Sequence, residues 1–159
     1  MNKAIFPGSF DPFTVGHENI VLRGLNIFDH IVVAVGINSE KRGMFTMEQR
    51  LHFIRETFKN EPRVTVETYS GLTVEFAQKI GCTHILRGLR TSADFEFERA
   101  IAQVNKQMSG LDTSFLLCVP EHTPVNSSIV RDILLHHGDA SMYVPKAIRA
   151  EIRRIAKQR

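Results

Sequence analysis

The sequence predicts an α/β domain built on a doubly wound, five-stranded parallel sheet. Two patterns carry that prediction. Short β-rich runs alternate along the chain with segments of helical period, which is how a parallel sheet with crossover helices is written. One of those runs, Ile31-Val32-Val33-Ala34-Val35-Gly36-Ile37, is apolar almost without a break, as in a strand covered on both faces. The length adds a bound. At 159 residues, 43% hydrophobic and 23% charged, the whole chain reads as one domain. A domain of that size buries about 70% of its unfolded surface.

The elements follow in order. Strands are predicted over 3–7, 31–37, 63–69, 83–87 and 114–119, the third alternating enough to sit at an edge. Ile20, Leu22, Leu25, Ile27 and Phe28 suit a helix over 15–27, and Met47, Leu51, Ile54 and Phe58 suit a second. Leu72, Phe76 and Ile80 mark a short third helix stopped by Gly81. A fourth covers 95–108, and a fifth covers 129–137 and is closed by Gly138. Pro145 opens a basic sixth, over about 145–157, with Ile148, Ile152 and Ile155 on one face.

Composition narrows the function. No apolar run approaches the ~20 residues of a membrane span, and the N-terminus lacks the pattern of a signal peptide. Two lone cysteines, Cys82 and Cys118, suit a reducing cytoplasm. The net charge is +3, but the last fourteen residues alone hold six basic residues against Glu151, a local +5, which leaves −2 for the rest. The high pI thus comes from one C-terminal segment and not from a basic body, which weakens a nucleic-acid reading. No His or Cys spacing resembles a zinc site. His30, His52 and His84 read as structural, and His136 and His137 suit a helix C-terminus.

Ligands of such sheets bind beyond the carboxyl ends of the strands, where the strand order reverses. Four of those segments are unusually polar. After the first strand, Gly8 and Gly16 permit close backbone approach and His17 falls in a first helical turn, where free N–H groups attract anions. A tight turn ahead of a helix started by Thr14 is the other reading. After the second strand, Lys41 can reach a transferring phosphoryl group, in what is otherwise a solvated loop; Thr46 and Gln49 form a capping-box pattern. After the fourth, Arg87 and Arg90 flank Gly88 as a clamp for phosphate oxygens. Arg87 leaves an apolar strand without a compensating charge, which points to an anionic partner; pairing with Asp94 or Glu96 is the alternative. After the fifth, Asn126-Ser127-Ser128 is a phosphate-binding helix start or an ordinary cap.

These residues carry a resemblance. Gly8-Ser9-Phe10-Asp11-Pro12 followed by Thr14-Val15-Gly16-His17 resembles the signature of the T/HxGH nucleotidyltransferase superfamily, with Thr14 for the first histidine. Arg87-Gly88-Leu89-Arg90 with Ala93-Asp94-Phe95-Glu96-Phe97-Glu98 is similar to its bacterial phosphopantetheine adenylyltransferase branch. The resemblance runs to about Ser141. It implies a Rossmann-like nucleotidyltransferase fold and adenylyl transfer from ATP to 4′-phosphopantetheine, giving dephospho-coenzyme A and pyrophosphate in coenzyme A biosynthesis. It assigns catalysis to His17, Lys41 and Arg90. It assigns ATP to Ser9, Phe10, His17, Gly88, Leu89, Arg90, Glu98, His122, Thr123, Pro124, Val125, Asn126, Ser127 and Ser128. It assigns the acceptor to Ser9, Lys41, Thr73 and Arg87. Asn126 replaces the family's first serine, and His122 stands where the family often has an aromatic ring.

The resemblance further implies Mg²⁺ on the triphosphate without a protein carboxylate cage, a homohexamer, and coenzyme A as a feedback ligand. Neither nucleic acid nor membrane is implied as a partner. Two other readings stay open. One is a related nucleotidyltransferase acting on nicotinate mononucleotide or a polyol phosphate. The other is a non-catalytic module that senses a coenzyme.

Overall fold

The computed structural model describes residues 1–40 and 42–158. Five strands are present: β1 (Lys3–Gly8), β2 (His30–Gly36), β3 (Val64–Tyr69), β4 (His84–Leu89) and β5 (Asp112–Leu117). They alternate with α1 (Val15–Gly24), α2 (Met47–Thr57), α3 (Thr73–Lys79) and α4 (Ser92–Ser109), and α5 (Ser127–Leu135) and α6 (Arg149–Lys157) follow. All strand pairs are parallel, in the order β3-β2-β1-β4-β5. The predicted sheet is thus observed, with β3 at an edge. The chain winds outward from β1 to β3, then returns to β4 on the other side of β1, so the order reverses between β1 and β4.

The period of two along the strands explains the layers. Ile31, Val33 and Val35 of β2 join Phe6 of β1 and Leu86 of β4 on one face, packed against Ile20 and Val21 of α1 and Ile54 of α2. Val32, Ala34, Ile5 and Ile85 point to the other face and meet Val74 and Ala77 of α3. A further apolar cluster ties the C-terminal elements on. Ile152 and Ile155 of α6 and Ile148 pack with Val130 and Leu134 of α5 and with Phe45 and Phe53.

Several boundaries differ from the sequence prediction. β4 and β5 run in step from His84↔Asp112 to Leu89↔Leu117, so the strand extends past the predicted 87 and Gly88 and Leu89 belong to it and not to a loop. Helix α1 ends at Gly24 rather than at 27, because the N–H groups of Asn26 and Ile27 turn back to the carbonyls of Arg23 and Gly24. Helix α4 begins three residues early, where the Thr91 hydroxyl accepts the N–H of Asp94. Helix α5 is shifted two residues toward the N-terminus by its Asn126 cap, and His137, not Gly138, takes the left-handed backbone (φ 59°). The sixth helix does not start at Pro145. A 3-10 turn over Lys146–Ile148 intervenes, and α6 begins at Arg149.

The central strands part early. β1 and β2 pair over six residues, but β1 and β4 pair only at Ala4↔His84 and Ile5↔Ile85. Pro7 has no N–H to give to a ladder, and its carbonyl accepts Nη1 of Arg87. The carboxyl ends of β1 and β4 therefore diverge where the strand order reverses, leaving a cleft.

The two faces of α6 should respond differently to truncation. Ile152→Ala removes a side chain that is 1% exposed and should cost about 2–5 kcal/mol. Arg154→Ala on the solvated face should change stability by less than about 0.5 kcal/mol. Urea midpoints at unchanged slope measure both.

Candidate active site

The cleft has a volume of about 260 Å³. Its floor is Phe6, Pro7 and Gly8 of β1 and Arg87 and Gly88 of β4. Its walls are the first turn of α1 (Gly16, His17), the start of α4 (Asp94, Glu98) and the start of α5 (Asn126, Ser127). Two helix N-termini, those of α1 and α5, thus present backbone N–H groups to one space, a positive surround suited to phosphates. Gly8 is required at the floor. The Phe10 ring folds back over it, and a Cβ there would lie 2.8 Å from Phe10 Cζ. Phe10 holds a left-handed backbone (φ 45°) and a ring 3% exposed, packed beside Phe6, Phe13 and His17.

His17 is built into the helix cap. The Thr14 hydroxyl accepts the His17 N–H at 3.3 Å, and His17 Nδ1 accepts the Thr14 N–H at 3.0 Å. This is a capping box in which imidazole does the work usually given to Glu or Gln. An Nδ1 that accepts carries no proton, so the neutral ring holds its proton on Nε2. Burial, together with the positive charges of Arg87 and Arg90, pushes the pKa down to about 3. At neutral pH the ring is an uncharged donor on the cleft wall. The sign has a cost in acid: an unfolded histidine takes up its proton near pH ~6.5, so this site loses stability as the pH falls below that value.

The two arginines are paired. Arg87 forms a two-pronged bridge to Glu98, with Nη2–Oε1 at 2.6 Å and Nε–Oε2 at 3.1 Å, in addition to its bond to Pro7. The expectation that Arg87 stands uncompensated is therefore corrected: Glu98, eleven residues on, supplies the counter-charge from α4. Arg90 donates its backbone N–H and its Nε to Asp94, at 3.0 and 3.2 Å. Each guanidinium side chain remains 33% exposed, and a guanidinium has five donor protons, so both keep N–H groups for a ligand.

Other expected residues divide into two groups. His122 and Val125 line the cleft, and His122 Nδ1 is buried with no hydrogen-bond partner among the described residues. Asn126 caps α5 through Ile129 N–H at 2.8 Å, and Ser127 Oγ donates to the Pro12 carbonyl at 2.8 Å. Leu89, Thr123, Pro124 and Ser128 do not line the cleft. The Leu89 carbonyl instead accepts Cys118 N–H in the sheet edge, and Ser128 Oγ accepts from Arg131. Thr73 opens α3 and bonds Tyr69 Oη at 2.8 Å, apart from the cleft. Lys41 lies outside the described residues. Ser9 borders both the cleft and a second cavity of about 900 Å³ lined by Gly36, Ile37, Asn38 and residues 42–47.

Sequence reasoning missed Asp94, Ile20 and Cys118 as lining residues. The Arg90-to-Asp94 spacing was a readable signal for the first. Burial raises the Cys118 thiol and pushes Cys82 up to about 11, so neither is a thiolate at neutral pH. Among the described residues no three His, Cys, Asp or Glu side chains converge as metal ligands.

The cytidylyltransferase-like family matches residues 5–151. A phosphopantetheine adenylyltransferase of Flavobacterium johnsoniae is 55% identical over 151 residues, 95% of this chain and 99% of the relative. One from Bacteroides fragilis is 45% identical over 148 residues, 93% of this chain and 99% of the relative. The solved structure of a bifunctional NMN adenylyltransferase/ADP ribose pyrophosphatase from Francisella tularensis superposes with a TM-score of 0.69 at 14% identity, covering 90% of this chain and 44% of that one. That last likeness concerns the fold. The chain belongs to the phosphopantetheine adenylyltransferases, within the cytidylyltransferase-like family.

Proposed function

We propose that the protein transfers the adenylyl group of ATP to 4′-phosphopantetheine, releasing pyrophosphate and forming dephospho-coenzyme A. The observation that carries the reading is the meeting of a neutral His17, two arginines and two helix N-termini in one cleft where the strand order reverses. The acceptor phosphate is already anionic at neutral pH, so no serine, thiolate or general base is needed. One of its oxygens forms a bond to the α-phosphorus of ATP while the bond to the β-phosphate oxygen breaks, and pyrophosphate leaves with that electron pair.

The task left to the protein is placement and charge stabilisation. His17 Nε2–H donates to an α-phosphate oxygen without adding a charge that must be lost later. Arg90 supplies positive charge from the strand end. Gly88, His122, Val125, Asn126 and Ser127 surround the nucleotide, with the α5 N-terminus toward the phosphates. Ser9 and Lys41 hold the acceptor phosphate, and Arg87 lines the acceptor side while Glu98 holds its guanidinium. Mg²⁺ arrives as part of the MgATP substrate, bound by phosphate oxygens and water. The product carries both halves of the reaction in one molecule, so coenzyme A, which shares them, is read as a competing ligand. Unpaired Cys82 and Cys118 fit a cytoplasmic enzyme.

A homohexamer belongs to the same proposal, over a chain that folds as one domain. Its support is α4, which has no buried residue and exposes Phe97, Ile101, Val104 and Met108 at helical spacing. That is an apolar stripe of the kind found at subunit contacts.

Four measurements check these readings. Incubation with MgATP and 4′-phosphopantetheine should yield dephospho-coenzyme A and pyrophosphate by mass, whereas nicotinate mononucleotide should yield no adenylylated product; the reverse pattern defeats the proposal. His17→Ala should cut turnover by ~10²-fold while losing the cap costs only about 1 kcal/mol of stability. In the wild type, turnover should show no ionisation of His17 between about pH 5 and 8; a limb in that window that disappears in the alanine variant contradicts the neutral-donor role. Phe97→Glu should convert a hexamer, sized by light scattering, into smaller species.

A further inference from the structure

We infer that Asp94 is a positioning residue for the reaction, acting through Arg90: its carboxylate holds one edge of that guanidinium so that the other edge stays free for a phosphate oxygen. The inference rests on the adenylyl-transfer reading above. Asp94 lines the cleft beside Arg90, and its side chain is 27% exposed. A carboxylate is a poor lining for a space that takes polyanions, because it repels them at close range. A partly exposed ion pair four residues apart is also a weak source of stability. Neither binding nor folding accounts for an acid at this position.

The local geometry shows what the acid does. Thr91 caps α4 by accepting the Asp94 N–H on its hydroxyl at 3.2 Å. Thr91-Ser92-Ala93-Asp94 thus has the spacing of a capping box, in which the acidic side chain turns back to the N–H of the cap residue. The Asp94 carboxylate reaches one residue further. Its Oδ2 accepts the backbone N–H of Arg90 at 3.0 Å and Nε of the same residue at 3.2 Å, and Oδ1 stands 3.5 Å from Nη2. One group therefore fixes a long, rotamer-rich side chain at both its root and its head.

This restraint comes from the helix because the strand does not supply it. The ladder of β4 ends at Leu89, whose carbonyl takes the Cys118 N–H, and Arg90 lies beyond it. With the Nε/Nη2 edge of the planar fork turned to Asp94, Nη1 and the outer proton of Nη2 are left for a ligand. They belong to a side chain that lines the cleft together with His17. An arginine freed from its acid would attract phosphate at least as strongly, but from no fixed point. Stabilising charge as it redistributes around phosphorus requires the fixed point.

Two variants separate position from charge and from folding. Asp94→Asn removes the charge and keeps the shape. Asp94→Glu keeps the charge, and its longer arm completes the capping box with the Thr91 N–H and releases Arg90. Turnover with MgATP and 4′-phosphopantetheine, ATP affinity by calorimetry, and melting temperature are measured for each. Both variants should lower kcat by ~10-fold or more with ATP affinity unchanged or tighter, and Asp94→Glu should do so at an undiminished melting temperature. Added to Arg90→Ala, either substitution should change kcat by less than about twofold further. Glu96→Gln removes an equal charge from an exposed pair with Arg99 on the same helix, and should leave kcat at the wild-type value. Losses that multiply in the double variants, ATP affinity lost in parallel with kcat, a melting temperature that falls with kcat in Asp94→Glu, an equal loss in Glu96→Gln, or full activity in either Asp94 variant overturns the inference. Should Asp94→Asn fail to fold, Asp94→Glu decides. Wild-type protein that makes no dephospho-coenzyme A defeats the activity reading and the inference with it; active wild type with any of the contrary outcomes defeats the inference alone.

Discussion

Beyond Ile5 and Ile85 the two central strands no longer pair. Pro7 removes a donor from β1 at this level, and Arg87 reaches across from β4 to take the carbonyl that Pro7 leaves. A doubly wound sheet must have a crevice where its order reverses. Here a proline and an arginine hold that crevice open from its floor. Arg87 in turn needs a counter-charge in a half-buried place, and Glu98 provides it from α4. The starts of α1 and α5 then close over the same space. The cleft is a consequence of strand pairing, and the charged groups within it are held by one another before any ligand is present.

The imidazole at 17 joins fold and chemistry in one group. Its Nδ1 completes the cap of α1, and that bond leaves the proton on the nitrogen facing the cleft. Burial and two nearby arginines keep the ring uncharged. A neutral donor suits a reaction in which negative charge redistributes around phosphorus without any proton being taken from the acceptor. Thr14, in place of the first histidine of the related motif, caps α1 by accepting the His17 N–H on its hydroxyl, while its backbone N–H fixes the tautomer.

Much of the architecture was legible because its signals are local. The unbroken run from Ile31, the helical spacing of Ile148, Ile152 and Ile155, and the Thr46/Gln49 cap all state their structure within a few residues, and the sheet and its helices follow. The Gly8–His17 segment also pointed to its place, although a tight turn ahead of a helix was the other reading, and Gly8, Gly16 and His17 do line the cleft. What stayed hidden depends on distance in sequence. The Arg87–Glu98 bridge spans a strand end and a helix turn, and Asp11 and Arg50 pair across 39 positions of sequence. Composition and spacing do not show which charges meet. Leu89, Thr123, Pro124 and Ser128 were carried by the motif that contains them, and they do not line the cleft. Strand and helix ends shifted where capping groups decide the last turn, as at Asn126 and Thr91.

The central claim is that His17 meets the nucleotide as a neutral ring protonated on Nε2. Nitrogen-15 spectra of the imidazole, recorded across about pH 5–8 with and without MgATP, test it most directly. The account predicts a protonated Nε2, an unprotonated Nδ1, no titration in that range, and a shift of Nε2 alone when the nucleotide binds. A ring that titrates near its unperturbed value of ~6.5, carries its proton on Nδ1, or ignores the nucleotide would contradict it.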